Sequence, residues 1–172
     1  MHSPNRFLKL TLPLLFALGL GIMATIGFAL ADEDEPIEIS ADSKQTDFKA
    51  GVATFRGDVD FRQGELQAFG EQADLQLENG QLVRAVLIGS PARFQQRDEQ
   101  GELIKGQADT AEYEPAKNLL TLTGNARLDR AGDILRAPLI TYNLATEVAN
   151  AGDPESGERV TTTIAPRSKP QP

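Results

Sequence analysis

Residues 106–140, GQADTAEYEPAKNLLTLTGNARLDRAGDILRAPLI, decide how this chain folds. Ala108-Asp109 opens an alternating segment that reaches a turn at Pro115. A second segment, 119–123, runs into Gly124. A third, Ala126-Arg127-Leu128, ends in the polar turn Ala131-Gly132-Asp133. The same frame occurs twice upstream, because Ala41, Ala73 and Ala108 each precede a glycine (Gly57, Gly89, Gly124) by 16 residues. Apolar pairs follow each glycine: Val59/Phe61, Ala92/Phe94 and Ala126/Leu128. A period of about 30–35 residues implies a stack of similar supersecondary units.

Outward from this stretch, the pattern stays that of short strands. Ile37-Glu38-Ile39-Ser40-Ala41 alternates strictly after Pro36, as a half-buried strand does. Residues 43–49 are polar. Residues 52–55 form a strand that Gly57 interrupts, and Asp58-Val59-Asp60-Phe61-Arg62 alternates again up to Gln63-Gly64. Residues 66–69 form another short strand, and Ala73, Leu75 and Leu77 share one face. Glu78-Asn79-Gly80 is a hairpin turn, since Asn-Gly supplies the left-handed pair that a tight turn requires. Residues 82–88 are nearly continuously apolar, and Gly89-Ser90-Pro91 leads into Ala92-Arg93-Phe94-Gln95. A fourth unit begins at Ile134, includes residues 139–144 and lacks its glycine, Glu155 standing at that offset. Residues 149–158 read as a loop, and 159–164 as a final β-branched strand. The expectation is an all-β domain of a dozen or more short strands, with no sustained helical period.

The ends read differently. Arg6 and Lys9 precede an uncharged, mostly apolar run at 10–28, and Ala29-Leu30-Ala31 is followed by Asp32-Glu33-Asp34-Glu35. This is the pattern of a secretory signal, residues 1–31, cleaved after Ala31. The alternative is an uncleaved anchor, because the run approaches the length of a membrane span. Residues 32–164 are the domain. Residues 165–172, with three prolines and no apolar anchor, read as a disordered tail.

Composition excludes several functions. The formal net charge is −8, and loss of Arg6 and Lys9 takes it to −10. That balance argues against nucleic acid as a partner. There is no Cys, and the single His is His2. The exported domain therefore has neither a disulfide framework nor the His- or Cys-dependent nucleophilic and zinc chemistries. Asp98, Glu99 and Glu102 are carboxylates of the kind a glycosidase uses. They sit in one charged turn, however, whereas glycosidase carboxylates face each other across a cleft about 5–9.5 Å wide.

Seven aromatics (Phe48, Phe55, Phe61, Phe69, Phe94, Tyr113, Tyr142) are spread along the domain instead of marking one centre. Either an ordinary β-core or an elongated apolar trough fits this distribution. The phase of alternation shifts between units. Ala73, Leu75 and Leu77 share a face, whereas Ala111 and Tyr113, and Ile140, Tyr142 and Leu144, lie on the opposite phase. A bulge is a physical route to such a shift. The terminal strands would leave unpaired edges, which are either open to pairing with a second copy in a head-to-tail filament or guarded against it by the acidic leader and the Pro-rich tail.

These residues together carry a resemblance. Pro36-Ile37-Glu38-Ile39, Phe55-Arg56-Gly57-Asp58-Val59, Gly89-Ser90-Pro91-Ala92-Arg93-Phe94, Tyr113-Glu114-Pro115-Ala116-Lys117, Leu122-Thr123-Gly124-Asn125-Ala126, Ile140-Thr141-Tyr142 and Arg159-Val160-Thr161-Thr162 occur in that order behind the signal. In this the chain resembles the OstA-like (organic-solvent-tolerance, LptA) family of periplasmic lipopolysaccharide-transport proteins. The resemblance implies a twisted β-jellyroll of stacked antiparallel strands, open at both ends. It implies a bridge, not an enzyme, that carries lipopolysaccharide from an inner-membrane extraction complex to an outer-membrane translocon. The acyl chains of lipid A would lie in an apolar groove, with no cofactor and no metal. Implied partners are an inner-membrane LptC-type jellyroll, an outer-membrane LptD-type jellyroll and further copies head to tail. Motif matching puts Ile37, Phe94 and Tyr113 in the groove, and alternation adds Ile39, Val59, Phe61, Leu75 and Leu128. Arg84, Arg93, Lys105, Arg130 and Arg136 could offer local positive charge to the lipid's anionic groups. Pro115 departs from the aliphatic residue that family members often carry after Tyr-Glu.

Alternatives stay open at this point: a membrane-anchored LptC-type component that keeps its N-terminal segment, a carbohydrate-active β-solenoid, and a purely structural stack.

Overall fold

The computed structural model describes residues 35–166, except 99 and 154. The signal segment, the first acidic residues and the chain from 167 onward lie outside the described residues. Ten strands form a single antiparallel sheet: β1 (Glu38–Ser40), β2 (Ser43–Asp47), β3 (Val52–Gln63), β4 (Leu66–Glu78), β5 (Gln81–Arg97), β6 (Leu103–Glu114), β7 (Leu119–Arg130), β8 (Asp133–Asn143), β9 (Val148–Ala151) and β10 (Thr161–Thr163). The order is β1-β3-β4-β5-β6-β7-β8-β10, with β2 also against β3 and β9 also against β8. Consecutive long strands are neighbours, so the chain is a meander whose pairings are set by its tight turns. Asn79 and Gly80 (φ +51° and +81°) make the expected left-handed hairpin turn, and Ala131 and Gly132 (+51° and +85°) make another.

The strands are fewer and longer than the sequence reading had them. The glycines read as strand ends are bends inside strands. Pairing register shifts midway along each ladder of the long strands, at Arg56/Val59, Phe69/Gln72, Ile88/Ala92, Gln107/Thr110 and Thr123/Ala126, and the β4–β5 ladder shifts a second time near its hairpin, at Gln76/Leu77. The midway irregularities line up into one seam that divides the sheet into two halves. At each outer edge the seam splits what would be one strand into two, β1 with β2 and β9 with β10. In β3 and β7 the bend is a left-handed pair, Gly57-Asp58 (φ +80° and +40°) and Gly124-Asn125 (+78° and +50°).

The seam also accounts for the shifted alternation. In β6 the buried residues are Ile104, Gly106 and Ala108 before the bend, and Ala111 and Tyr113 after it. An odd step at a bulge moves the apolar set to the other parity while keeping it on the same face. The opposing phases of the sequence are thus one continuous interior.

Of the three 16-residue spacings, two are structurally equivalent. The Asp42 carboxylate lies over Gly57, and that of Asp109 lies over Gly124, where any Cβ would overlap it. Asp42 N–H also donates to the Gly57 carbonyl (3.0 Å), and Asn125 Nδ2 donates to Asp109 (3.0 Å). The Ala73–Gly89 spacing is coincidental, since Ala73 lies in register with Ala111 through Leu87 and not with Ala108.

The polar stretch after Ser43 forms β2, held by its ladder with β3 and not by burial. The strand expected at 159–164 is shorter, β10, and Ala165 N–H just beyond it donates to Asp133 (2.8 Å).

Candidate functional site

The two halves of the sheet carry apolar rows that face each other. In the first half, Ala53, Leu75, Ala85, Tyr113, Leu120 and Tyr142 are aligned across six strands. In the second half, Ile39, Phe61, Ala68, Phe94, Gly106, Leu128 and Leu135 are aligned likewise. From Phe61 to Leu128 large and small residues alternate along the second row, which lets the rings seat over their small neighbours. The Phe94 ring occupies the space where Gly106 would carry a Cβ. Twenty-one buried hydrophobic residues form one core, and it contains no buried charged residue among those described.

Between the rows runs a cleft lined by Phe61, Leu66, Ala68, Ala73, Leu75, Ala85, Val86, Leu87, Phe94, Ala111, Tyr113, Leu120 and Leu144, almost wholly carbon. Its volume is about 50 Å³. A single water needs about 10–15 Å³ on the same measure, so the cleft holds a few methylene-sized groups and not a full acyl chain. A longer occupant requires the two halves to part.

The eight residues expected in the groove are distributed unevenly. Phe61, Leu75, Phe94 and Tyr113 line the cleft. Ile39 and Leu128 lie in the same row as Phe61 and Phe94, with Leu128 buried and Ile39 half-buried. Val59 is buried nearer the seam, and Ile37 is exposed ahead of β1. Leu66, Leu87, Leu120 and Leu144 belong to the lining but were missed. Their alternation is legible in sequence, but the parity change at the seam hides which side of each strand is interior.

A polar cluster joins the two halves away from the cleft lining. Arg130, ending β7 in the second half, reaches Glu147 beside β9 in the first half (2.7 Å) and Asp98 in the β5–β6 turn (2.8 Å). The Asp98 side chain is 1% exposed and also accepts N–H bonds from Gln100 (3.0 Å) and Glu102 (2.7 Å). Its role is thus to hold the turn, and it does not form a carboxylate pair across a cleft. Burial pushes the nearby Tyr142 phenol above its ordinary value, helped by the charge of Glu147 and opposed by Arg130.

The five basic residues considered for anion contact also divide. Arg84 is taken up by Glu112 (2.5 and 2.7 Å) and Arg130 by its carboxylates. Arg93, Lys105 and Arg136 form no ion pair among the described residues and are exposed.

Comparison with known proteins places this architecture. Residues 38–148 match the family described as LptA/(LptD N-terminal domain) LPS transport protein. The chain is 33% identical to the lipopolysaccharide export system protein LptA of Escherichia coli K12, covering 92% of this chain and 86% of that one. It is 30% identical to the lipopolysaccharide export system protein LptH of Pseudomonas aeruginosa, over 94% of this chain and 97% of that one. The fold matches the crystal structure of LptH, the LptA homologous periplasmic component of the conserved lipopolysaccharide transport device from P. aeruginosa. That match has a TM-score of 0.74 at 26% identity, covering 79% of this chain and 99% of that chain. With the matched segment spanning the sheet from β1 through β8 to the start of β9 and the identity extending over nearly the whole chain, this protein belongs to the LptA/(LptD N-terminal domain) LPS transport protein family.

Proposed function

We propose that the protein is a periplasmic carrier of lipopolysaccharide that shelters the acyl chains between the two halves of its sheet. The apolar cleft between the facing rows carries this reading. Moving a CH₂ out of water is worth about 0.8 kcal/mol, so insertion of several chains works against the cost of parting the halves. The transfer needs no bond to be made or broken, and the family role is transport, so the protein acts as a carrier and not as an enzyme. Ile37, Ile39, Val59, Phe61, Leu75, Phe94, Tyr113 and Leu128 are proposed as groove residues, with the four that line the closed cleft making first contact.

The carrier works as a link in a bridge from the inner-membrane extraction complex to the outer-membrane translocon. Both sheet edges are available for strand pairing, and exposed apolar side chains flank them: Ile37 and Phe48 at the β1/β2 edge, and Val148, Val160 and Ile164 at the β9/β10 edge. Such edges suit head-to-tail addition of a second copy, or of LptC-type and LptD-type jellyrolls at the two ends. Cleavage after Ala31 would release the domain as a soluble periplasmic link. An N-terminus at Asp32 on the exported protein is the expected result, and a retained segment would favour the anchored LptC-type role.

The deciding experiment places a photo-crosslinking amino acid in cells at Phe94 or Tyr113 inside the cleft, and at Arg84 on the outer face. Lipopolysaccharide adducts from the two cleft positions and none from Arg84 are expected. Adducts absent from both cleft positions would overturn the carrier reading.

A further inference from the structure

The outer face of the second half-sheet carries a shallow groove separate from the apolar cleft. Phe69, Arg93, Gln95, Lys105, Gln107 and Arg127 surround it, together with Asp129, over a volume of about 400 Å³. The sheet register sets this arrangement. Phe69, Arg93, Gln107, Arg127 and Arg136 are cross-strand partners in one row, and Gln95, Lys105 and Asp129 are partners in the next. Three cations and one carboxylate therefore line the groove, in a chain whose formal net charge is −8, and the row continues to Arg136 beyond Arg127 and to Asp60 beyond Phe69, where Asp60 is paired with Arg62. Asp129 is paired with Arg127 (2.7 Å), which leaves Arg93, Lys105 and Arg136 without an ion pair among the described residues. The outer face of the first half differs: its Arg84 is neutralised by Glu112.

We propose that this groove is a binding site for a phosphorylated saccharide. The guanidinium of Arg93 suits bidentate contact with a phosphoryl group, and Lys105 on the adjacent strand adds a second cation within reach of the same group. Gln95 and Gln107 place amides able both to donate and to accept beside those cations, as sugar hydroxyls require. The Phe69 ring at the rim, 36% exposed, offers the apolar surface against which a sugar ring's C–H face packs. The volume lies within the range of small-molecule sites, about 300–1,000 Å³. The ligand is either the sugar–phosphate part of a lipid or a free sugar phosphate. Only the lipid source rests on the carrier reading above.

The test titrates the exported protein, labelled for amide NMR, with glucose 6-phosphate, with glucose, and with lipopolysaccharide freed of its acyl chains by base. Glucose 6-phosphate is expected to shift the amides of Arg93, Lys105 and Gln107, and glucose is expected to bind at least about tenfold more weakly. The pair R93Q/K105Q should weaken glucose 6-phosphate binding by about tenfold or more. R84Q removes a charge from the other half and should leave binding unchanged. An unaltered urea midpoint in R93Q/K105Q separates loss of the site from loss of the fold. Equal binding of glucose and glucose 6-phosphate, or equal loss in R84Q, overturns the site. Binding of deacylated lipopolysaccharide at the same amides supports the lipid source. Binding of glucose 6-phosphate alone supports the site with a free ligand and leaves the cleft reading to its own crosslinking result.

Discussion

Arg130 Nη2 lies 2.7 Å from Glu147 Oε2, and this ion pair joins the two half-sheets. The residues belong to different halves, so their contact ties one half to the other. Replacing Glu147 by Gln keeps a hydrogen-bond acceptor and removes the charge. A cost under about 1 kcal/mol in urea unfolding is expected, as for partly exposed pairs. Arg130→Ala is expected to cost more, about 1–3 kcal/mol, because it strips the almost fully buried Asp98 of its cation. Equal effects of the two substitutions would show that Asp98 gains nothing from Arg130.

Gly106 and Phe94 form the tightest seat in the interior. A Cβ at position 106 would fall within the Phe94 ring. Gly106→Ala should force the ring out of its rotamer and cost about 1–3 kcal/mol. The displaced ring would also intrude on the cleft, so the variant should lose lipopolysaccharide crosslinking from Tyr113 while remaining folded. Circular dichroism with a urea titration and the crosslinking assay separate the two effects.

Gly124 is constrained in two ways, by its left-handed backbone (φ +78°) and by the Asp109 carboxylate above it. Gly124→Ala is expected to destabilise by about 1–3 kcal/mol. Adding Asp109→Ala removes the overlap but not the backbone strain, so the double variant should recover only part of the loss. Full recovery in the urea midpoint would show that φ contributes nothing.

Arg84 holds the Glu112 carboxyl below its ordinary value by hydrogen bonding, against some desolvation. A carboxylate whose folded pKa is depressed stabilises the fold above its unfolded value and loses that contribution as pH falls through the folded one. The pair should thus contribute about 0.5 kcal/mol at pH 7, fading as pH drops below about 4.5. Urea midpoints of Glu112→Gln and the natural protein should differ at pH 7 and converge as pH falls through the depressed folded value.

Ile164 is 72% exposed beside β10 at one edge of the sheet. Lys is a residue that sheets use to discourage edge pairing. If copies pair at this edge as proposed, Ile164→Lys should reduce concentration-dependent association in sedimentation velocity without moving the urea midpoint. Association that is unchanged, or absent from the natural protein, would count against pairing at this edge.

What the sequence determined by itself was the class of element and the position of the turns. Period-2 alternation around Ile37–Ala41, Asp58–Arg62 and Ala73–Leu77, with Asn79-Gly80 and Gly132 as punctuation, is local chemistry, and it reads directly as antiparallel strands. The recurring Ala-Asp and glycine also marked real features at Asp42/Gly57 and Asp109/Gly124, though as bends and not as ends. Only the tertiary structure decided which parity of each strand is interior, because a bulge moves one residue out of register without altering composition. It likewise decided that Arg84 and Arg130 are spent on carboxylates, Glu112 lying 28 residues from Arg84 and Asp98 32 residues from Arg130 in sequence, while Arg93 and Lys105 remain free of ion pairs among the described residues. Such pairings depend on the register of the folded sheet, and no local pattern encodes which charges that register brings together.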